Sequence, residues 1–450
     1  MASKRLLLLC LLFMLRFFAA PSKPDRGIRL ELTHVDARGL LAGADRVRRA
    51  AERSHRRVNG LLAAVTPPSA STLRSDGAAT AAAASVHAST ATYLVDLAIG
   101  TPPLALTAVL DTGSDLIWTQ CDAPCRRCFP QPTPLYAPSK SATYANVSCA
   151  SKLCAALPTP MPSRCSASAP APEQGCEYYY SYGDGSSTDG VLATDAFTFG
   201  SAAAARSLAF GCGTDNLGGT DNSSGLVGMG RGPLSLVSQL GATRFSYCFT
   251  PFHDTAAASS PLFLGALASL SAAAKSTPFA ANPAGPRRGS YYYLTLEGIT
   301  VGDALLPIDP AVFEVTASGR GGVIIDSGTT FTALEERAFV ALARAVAARV
   351  ALPFASGAHL GLSLCFAAPE GRGPEAVAVP RLVLHFDGAD MELTRGSVVV
   401  EDRVAGVACL GMVSARGMSV LGSMQQQNMH ILYDIERGML SFEPANCGEL

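Results

Sequence analysis

Two short segments of the chain repeat one another, and each presents a carboxylate beside small polar residues. Residues 109–114 read VLDTGS and residues 324–329 read IIDSGT, so an apolar run is followed each time by Asp, a hydroxyl residue, Gly and a second hydroxyl residue. Asp111 and Asp326 lie 215 positions apart, which places one in each half of a duplicated structure. Two carboxylates that meet in this way can accept and donate protons while a water molecule attacks a bond. The pair therefore predicts an acid hydrolase with Asp111 and Asp326 as its catalytic residues.

The sequence downstream of the two segments also repeats. Residues 225–228 (GLVG) follow the first Asp and residues 419–422 (SVLG) follow the second. Only the first half contains residues 178–186 (YYYSYGDGS), an aromatic run followed by turn residues, which is typical of a β-hairpin. The repeated elements predict two similar lobes, and the unpaired hairpin indicates that the two halves have diverged.

The elements that must position these residues are mostly short strands. Abundant Gly and Pro, low charge and short apolar runs favour a β-rich globular protein over a helical bundle. Strands are predicted in eight runs: residues 93–100, 105–110, 197–199, 208–210, 291–296, 322–325, 382–386 and 430–433. Residues 334–350 have the apolar spacing of a helix. At 450 residues the chain is long enough for two lobes, and residues 272–289, poor in strand signals, are the predicted inter-lobe linker.

The N-terminus reads as a removable targeting segment. Lys4 and Arg5 precede a leucine-rich run that is too short to span a bilayer, so residues 1–20 are predicted to be a secretory signal. A plastid transit peptide is the alternative. No later segment resembles a membrane span, so no membrane contact is expected after the signal is removed. The expected location is extracellular, in the apoplast, with the vacuole or the plastid as alternatives.

Residues 21–90 form a basic leader on an acidic body. They carry 11 Lys and Arg against 6 Asp and Glu, whereas the chain from residue 91 onwards has a net charge of −9. Residues 43–65 have a basic helical pattern, and the low-complexity residues 66–90 form a linker open to proteases. A secretory route makes nucleic acid an unsuitable partner, so the leader is predicted to be a prosegment that binds its own body. The alternative is an uneven but solvated surface.

Twelve cysteines remain after Cys10 leaves with the signal, and an even number in a secreted chain predicts disulfides. They are Cys121, Cys125, Cys128, Cys149, Cys154, Cys165, Cys176, Cys212, Cys248, Cys365, Cys409 and Cys447. The close spacing of the first three would also suit zinc, but without nearby His the disulfide interpretation is favoured. Asn146 and Asn222 begin two possible glycosylation sequons.

At these residues the chain resembles the pepsin-type aspartic endopeptidases, and within them the plant nepenthesin-like branch. The resemblance rests on residues 111–121, 182–186, 211–213, 225–230, 245–248, 326–330 and 420–423. The cysteine-rich stretch 121–176 resembles the insertion of that branch, and the basic residues 53–57 resemble its prosegment. The resemblance implies an all-β, bilobal pepsin-like fold, with the active-site cleft between two similar β lobes and a few short helices. It places the N-terminal lobe at residues 91–271 and the C-terminal lobe at residues 290–450.

Each neighbour of the two Asp residues has an expected task. The N–H groups of Gly113 and Gly328 and the hydroxyls of Ser114 and Thr329 are expected to donate to the carboxylates, while Thr112 and Ser327 join the two loops. By the resemblance, Tyr182 with Gly183 and Asp184 forms a flap over the substrate, and the Trp118 indole is the hydrogen-bond partner of Tyr182. Ordinary core packing is the alternative role for Trp118, and a surface aromatic in a tyrosine-rich strand is the alternative for Tyr182.

The function expected from these features is that of a secreted, prosegment-inhibited aspartic endopeptidase that hydrolyses peptide bonds at acidic pH. Its substrates would be proteins or peptides, it would act as a monomer, and the chemistry requires no metal and no cofactor. Plants also make non-catalytic proteins on this fold, such as xylanase inhibitors, and a binding protein of that kind is the alternative. A structural or carbohydrate-binding protein is a third hypothesis, supported only by the tyrosines and disulfides.

Overall fold

A computed structural model describes most of the chain. It covers residues 27–35, 43–65, 93–157, 175–182, 185–200, 206–218, 223–251, 259–283, 288–316 and 320–450. The predicted signal, the low-complexity linker after residue 65, and the residues Cys165, Gly183, Asp184 and Asn222 lie outside the described residues.

Twenty-seven strands are formed by these residues. Those before residue 270 are β1 (Ile28–His34), β2 (Tyr93–Ile99), β3 (Leu104–Asp111), β4 (Trp118–Gln120), β5 (Ala145–Asn146), β6 (Cys176–Ser181), β7 (Ser187–Thr198), β8 (Arg206–Leu217), β9 (Gly225–Gly228), β10 (Arg244–Cys248) and β11 (Ser260–Leu264). Those after it are β12 (Lys275–Pro278), β13 (Tyr292–Leu294), β14 (Leu296–Val301), β15 (Ala304–Leu305), β16 (Val323–Ile325), β17 (Thr332–Glu335), β18 (Phe354–Ala355), β19 (Cys365–Ala367), β20 (Leu382–Phe386), β21 (Ala389–Leu393), β22 (Val399–Asp402), β23 (Val407–Leu410), β24 (Met412–Ala415), β25 (Ser419–Leu421), β26 (Met429–Asp434) and β27 (Met439–Pro444).

The α-helices of the described residues are few. They are α1 (Ala44–Val65), α2 (Lys152–Ala155), α3 (Leu236–Leu240), α4 (Glu336–Ala347) and α5 (Arg395–Val398). The basic leader pattern thus forms the 22-residue helix α1, whereas the helix predicted over residues 334–350 is shorter than expected. It begins only at Glu336 because residues 332–335 pair in a sheet, and Glu335 caps the helix by accepting from the Arg337 N–H.

A 14-stranded sheet runs through both halves of the molecule, and three smaller sheets complete the fold. The large sheet has the order β12-β27-β26-β10-β11-β1-β2-β3-β9-β4-β8-β7-β5, with β6 paired to β7. The smaller sheets are β13-β16-β25-β17-β24, β15-β14-β20-β21 and β18-β19-β23-β22. The predicted β-rich architecture with few helices is confirmed.

The two halves repeat one pattern of strand pairing. In the first half, β3 runs parallel to β9, which pairs antiparallel with β4, and β4 in turn runs parallel to β8. In the second half, β16 runs parallel to β25, which pairs antiparallel with β17, and β17 runs parallel to β24. This repeat accounts for the paired apolar-Gly segments, because they supply β9 and β25, the strands beside those that lead to the two Asp residues.

The segment predicted to be the inter-lobe linker, residues 272–289, contains a strand although it is poor in strand signals. Strand β12 lies within it and pairs with β27 at the edge of the large sheet. Its sequence, Lys-Ser-Thr-Pro, has little strand signal of its own, so the pairing depends on the partner strand.

In the described part of the chain, disulfides account for the cysteines that would have suited zinc, and most of them join segments distant in sequence. The pairs there are Cys121–Cys212, Cys125–Cys128, Cys154–Cys176, Cys248–Cys447 and Cys365–Cys409, and Cys149 is also disulfide-bonded. The zinc alternative is therefore not supported at Cys121, Cys125 and Cys128. None of the helices in the described ranges combines the length and the apolar character needed to cross a membrane.

Candidate active site

Two parallel strand pairs bring the carboxylates to the centre of the molecule. Asp111 is the last residue of β3, and its register partner is Gly228 of β9. Asp326 directly follows β16, and its backbone N–H donates to the Leu421 carbonyl of β25 at 3.1 Å. Both side chains are almost completely buried, at 1% and 0% exposure. The same local structure thus delivers one carboxylate from each half.

The two carboxylates receive matching sets of hydrogen bonds. The Asp111 oxygens accept from the Gly113 N–H at 3.0 Å and from the Ser114 hydroxyl at 2.5 Å. The Asp326 oxygens accept from the Gly328 N–H at 3.0 Å and from the Thr329 hydroxyl at 2.6 Å. Donors of this kind stabilise the ionised form of a carboxyl group. The structure places all four residues where the sequence predicted them.

The two loops are joined across the lobes. The Ser327 N–H donates to the Thr112 hydroxyl oxygen at 2.9 Å, and the Thr112 N–H donates to the Ser327 hydroxyl oxygen at 3.1 Å. A β-carbon at Gly113 would lie 2.7 Å from an Asp326 oxygen, and one at Gly328 would lie 2.6 Å from an Asp111 oxygen. Glycine is therefore required at both positions for the loops to approach this closely.

A guanidinium from the leader lies between the carboxylates. Arg57 of α1 donates from Nη2 to Asp111 Oδ1 at 2.6 Å and from Nε to Asp326 Oδ2 at 3.1 Å. Its side chain is only 2% exposed. The basic residues 53–57 resemble a prosegment, but nothing in the sequence singles out Arg57 among them. Its contact with the two carboxylates is the main feature of the site that the sequence did not predict.

The charges of these three residues depend on one another. Burial raises the pKa of the Asp111 carboxyl, and the Asp326 carboxylate adds to this, although Arg57 acts in the opposite direction. Burial also opposes ionisation of Asp326, but Arg57 and the Thr329 hydrogen bond hold the pKa of Asp326 below its ordinary value. The Arg57 guanidinium keeps its charge despite burial, since the two carboxylates raise its pKa well above the usual range. Because the carboxyls interact directly, their protonation belongs to the pair.

Helix α1 is seated on the C-terminal lobe by both polar and apolar contacts. The Ser54 hydroxyl, itself donating to the Ala50 carbonyl, accepts the Phe331 N–H at 2.8 Å. Five side chains of α1 belong to a buried apolar cluster with residues such as Tyr291, Tyr293 and Phe331: Val47, Ala50, Ala51, Val58 and Leu61. These contacts fix the register of the helix and thereby place Arg57 over the dyad.

The predicted flap is a hairpin next to this helix. Strands β6 and β7 pair up to Ser181 and Ser187, so Tyr182 stands at the start of the connecting turn. Tyr182 and Trp118 are both buried in one apolar cluster, which also contains Tyr180. Burial raises the pKa of the Tyr182 phenol well above its usual value, and the nearby Trp118 indole opposes this rise. Among the described residues, neither the indole N–H nor the phenol oxygen has a partner at good hydrogen-bond geometry. The hydrogen bond between Trp118 and Tyr182 therefore stays a prediction.

Asp115 directly follows the first Asp segment, and its contacts are a second feature of the site that the sequence did not predict. Its carboxylate accepts from the Gly232 N–H at 2.8 Å and from the Ser290 hydroxyl. The Ser290 carbonyl in turn accepts from the Arg231 N–H at 3.0 Å. Asp115 therefore joins the loop after Asp111 to the start of the C-terminal lobe.

Other predicted site features are less central. Asn146 is exposed in β5, where its side-chain oxygen accepts from the Tyr144 hydroxyl at 2.8 Å, so glycosylation there stays a prediction. Within the described ranges, no group of three or more His, Cys, Asp or Glu side chains is arranged to hold a metal ion.

Comparison with known proteins identifies the family. The family models described as "Xylanase inhibitor N-terminal" and "Xylanase inhibitor C-terminal" match residues 93–266 and 291–444. Aspartic proteinase nepenthesin-1 of Nepenthes gracilis is 42% identical over 94% of this chain and 91% of its own length. The chain belongs to the nepenthesin-like aspartic proteinases. It is thus an aspartic-type endopeptidase.

Further relatives and solved structures agree with this. Aspartic proteinase nepenthesin-2 of Nepenthes gracilis is 40% identical, covering 95% of this chain and 91% of its own, and aspartyl protease 37 of Oryza sativa is 38% identical, covering 98% and 99%. Among solved structures, edgp aligns with a TM-score of 0.63 at 17% identity, covering 95% of this chain and 97% of its own. Basic 7S globulin from soybean aligns with a TM-score of 0.62 at 17% identity, covering 94% and 98%. These two likenesses confirm the bilobal pepsin-like fold.

The Ser114→Ala and Thr329→Ala variants of this endopeptidase should each lower kcat/KM by about 10- to 100-fold. Each removes a donor to a buried carboxylate, and hydrogen bonds to charged groups contribute about 1.5–3 kcal/mol. Loss of the donor also raises the pKa of the carboxyl, so the acidic limb of the pH–activity profile should move to higher pH. Ser276→Ala is the control, because that hydroxyl pairs with Ser441 at the surface. Unchanged profiles in both variants would contradict the role of these hydroxyls.

The Asp115→Ala variant should lower the free energy of unfolding by about 1–3 kcal/mol, because it leaves the Gly232 N–H and the Ser290 hydroxyl without their acceptor. Urea denaturation measures this loss. Since Asp115 acts through the loop that carries Asp111, kcat should fall while KM changes little. Asp115→Asn keeps an acceptor and should restore part of both properties. If Asp115→Ala denatures at the wild-type urea concentration with the wild-type kcat, the positioning role is wrong.

Proposed function

We propose that this chain is the precursor of a secreted endopeptidase whose catalytic dyad is Asp111 and Asp326, and that its leader keeps it inactive until the pH falls. One observation carries the proposal: two carboxylates with matching hydrogen-bond donors face one another, and a buried guanidinium of the leader lies between them. The substrates are proteins or peptides that enter the cleft once the leader has left it.

The dyad acts through a shared proton. Two carboxylates held in contact, as in aspartic proteases generally, do not both ionise readily in the absence of a cation, so one proton is retained between them at acidic pH. The ionised member accepts a proton from a bound water, which attacks the scissile carbonyl, while the protonated member donates to the carbonyl oxygen. We assign these two roles to Asp111 and Asp326 jointly. The glycine N–H groups and the Ser114 and Thr329 hydroxyls hold the carboxylates in place during the transfer.

Arg57 would inhibit the enzyme by occupying the place of the catalytic water and by neutralising both carboxylates. The ion pairs are complete while both carboxyls are ionised. Burial and the Asp326 carboxylate raise the pKa of Asp111 although Arg57 opposes them, whereas Arg57 and the Thr329 hydroxyl hold the pKa of Asp326 below its ordinary value. As the pH falls, the pair therefore takes up protons in two steps, and the attraction for Arg57 is lost. Acid therefore weakens the binding of α1 to the body. Protonation of other carboxylates on the acidic body has the same effect, because it weakens the attraction between the body and the basic leader.

Secretion is supported by the predicted signal at residues 1–20, the disulfides and the two sequons. We infer that the enzyme acts in the apoplast as a monomer. The alternative destination is the vacuole. A fluorescent protein fused behind the signal and expressed in plant cells tests this, because plasmolysis separates the cell-wall space from the vacuole.

An assay with denatured protein tests the proposed activity. The purified full chain, held first at neutral pH and then at about pH 4, should cleave denatured protein only at the acidic pH, and pepstatin should stop the cleavage. A non-catalytic binding protein of the xylanase-inhibitor type would show no pepstatin-sensitive cleavage at any pH. That result would overturn the proposal, since the intact pair of carboxylates is what favours the enzyme.

A further inference from the structure

A chain of hydrogen-bonded side chains in the interior ends at the backbone of Asp326. The Leu421 carbonyl of β25, which accepts the Asp326 N–H at 3.1 Å, also accepts the side-chain amide of Gln426 at 2.8 Å. The Gln426 amide oxygen in turn accepts from the Tyr247 hydroxyl at 2.6 Å, and the hydroxyls of Tyr247 and Tyr433 are 2.8 Å apart. All three side chains are completely buried, so they depend on one another for their hydrogen bonds.

The hydrogen bonds of this chain can run in one direction only. Because the Leu421 carbonyl can only accept, the Gln426 amide presents its nitrogen to Leu421 and its oxygen to Tyr247. Tyr247 has one hydroxyl proton and donates it to that oxygen, so Tyr433 donates to Tyr247. The Tyr433 oxygen then faces Thr112, whose hydroxyl opposes the rise that burial causes in the pKa of this phenol. The chain therefore also reaches the loop of the first carboxylate.

The two tyrosines are held rigidly in the large sheet. Tyr247 lies in β10, before the predicted linker, and Tyr433 lies in β26, after it. In the register of these two strands Phe245 is opposite Tyr433, and Tyr247 is two residues further along the same face. The Tyr433 ring stacks on Phe245 at 4.3 Å between centroids, and the Tyr247 ring stacks on Phe249 at 4.1 Å. Stacking on both rings fixes the two hydroxyls where the strands meet.

The titratable side chains that face the carboxylates are phenols and one guanidinium. Tyr182 interacts with Asp111 from the flap, whereas Tyr247 and Tyr433 interact with Asp326 from the sheet. Burial raises the pKa of all three phenols above the usual value, so they stay neutral at acidic and neutral pH. The guanidinium belongs to the leader, which leaves the cleft in the proposed activation. The pH profile of the activated enzyme therefore reports on the two carboxyls and not on the phenols.

We propose that Gln426, Tyr247 and Tyr433 are positioning residues of the endopeptidase, which hold the two carboxylates at the separation that lets them share one proton. The chain fixes the backbone of Asp326 relative to Thr112 of the other loop, so it acts on the carboxylates through the two loops. This inference rests on the proposed dyad, because it concerns the distance between the two members of that dyad.

A break in the chain should change the pH profile in a way that general loss of stability does not. Two carboxylates that lie further apart interact less, so the lower apparent pKa of the pair rises and the higher one falls. The acidic and the alkaline limbs of the kcat/KM profile should then move towards one another. A protein that is merely less stable loses activity without this convergence.

Tyr433→Phe tests the inference with little change in the size of the side chain. The full chain is activated at acidic pH, and initial rates on a fluorogenic peptide are measured across the acidic and neutral range. We expect kcat to fall about 3- to 10-fold, as for the loss of one neutral hydrogen bond, while KM stays nearly unchanged. The two apparent pKa values should approach one another by about half a unit or more. Tyr247→Phe interrupts the same chain one step further along and should have the same effects.

Tyr93→Phe is the matched control. The Tyr93 phenol is also completely buried, and its ring stacks on Phe249 at 3.9 Å in the same column of aromatic rings. Its hydroxyl, however, donates to the Thr250 carbonyl and not to the chain. Tyr93→Phe should lower the urea midpoint about as much as Tyr433→Phe does, but it should keep the wild-type separation of the two pKa values. Equal convergence in both variants would show that the positioning role is wrong.

The same measurements separate this inference from the proposed function. If the pepstatin-sensitive activity of the wild type lacks two limbs, or if Asp111→Asn retains that activity, the proposed dyad is wrong and the positioning role with it. If the wild type has both limbs, Asp111→Asn is inactive, and Tyr433→Phe and Tyr247→Phe keep the wild-type separation, the positioning role alone is overturned.

Discussion

The Asp111→Asn variant of the mature enzyme is expected to cleave denatured protein at acidic pH with a kcat/KM at least about 10³-fold below that of the wild type. Asn can neither accept the proton of the attacking water nor donate one to the carbonyl oxygen in the same cycle, and general acid–base catalysis contributes about 10²–10⁴-fold. The side chain has nearly the same size; the Gly113 N–H keeps an oxygen acceptor, and the Ser114 hydroxyl oxygen can accept from the new amide N–H instead, so the fold should persist. Initial rates on a fluorogenic peptide, with and without pepstatin, measure the loss.

Asp326→Asn should lose as much activity as Asp111→Asn, and the double variant should be no worse than either. Residues that act as one unit show such non-additive losses. Asp390→Asn is the control, because this half-exposed carboxylate pairs with His385 in the C-terminal lobe. A variant of either dyad residue that keeps pepstatin-sensitive cleavage would show that the catalytic residues are wrongly assigned.

The Arg57→Ala variant of the full chain should become active at a pH at least about one unit higher than the wild-type precursor. Removing one partner of a buried ion pair costs about 3–5 kcal/mol, and one pKa unit corresponds to about 1.36 kcal/mol. Without Arg57, the two carboxyls retain a shared proton, which recovers part of this free energy. We therefore expect the pH of activation to shift by less than the full cost of the ion pair would give. Timed incubation across the pH range, stopped with pepstatin and analysed on gels, gives the midpoint of processing.

Two variants separate the position of Arg57 from its charge. Arg48→Ala removes the same charge from α1, but Arg48 forms its ion pairs with Asp45 and Glu52 of its own helix, so the midpoint should not move. Arg57→Lys keeps the charge but not the planar fork that contacts two carboxylates, so its midpoint should lie between those of the wild type and Arg57→Ala. If Arg48→Ala shifts the midpoint as far as Arg57→Ala, general charge attraction rather than the contact with the dyad holds the leader.

Much of the candidate active site could be predicted from the sequence. The two Asp segments and the two apolar-Gly segments are local patterns, and in both lobes the structure uses them in the same way, as adjacent parallel strands. The hydroxyl and glycine neighbours lie within three residues of each Asp, so their contacts with the carboxylates follow from short-range geometry. The strand runs were visible for the same reason, since alternation and turn residues are local signals.

The failures all involve partners that are distant in sequence. Strand β12 forms because β27 presents an edge to it, and α4 starts late because its first predicted residues pair with β24 instead. Nor does the spacing around Asp115 reveal that Ser290, far along the chain, supplies a hydrogen bond.

The sequence by itself predicted the pair of carboxylates that we propose as catalytic, the residues that hydrogen-bond to them, the two-lobe β architecture and the basic character of the leader. Only the tertiary structure decided which of the 11 basic residues of the leader reaches the dyad and which strand of the leader enters the sheet. The reason is that the register of α1 depends on its packing against Phe331 and its neighbours, and the place of β1 depends on two strands far away in the chain. Composition gives the leader its positive charge, but only these long-range contacts place one of its cations, Arg57, between the two carboxylates.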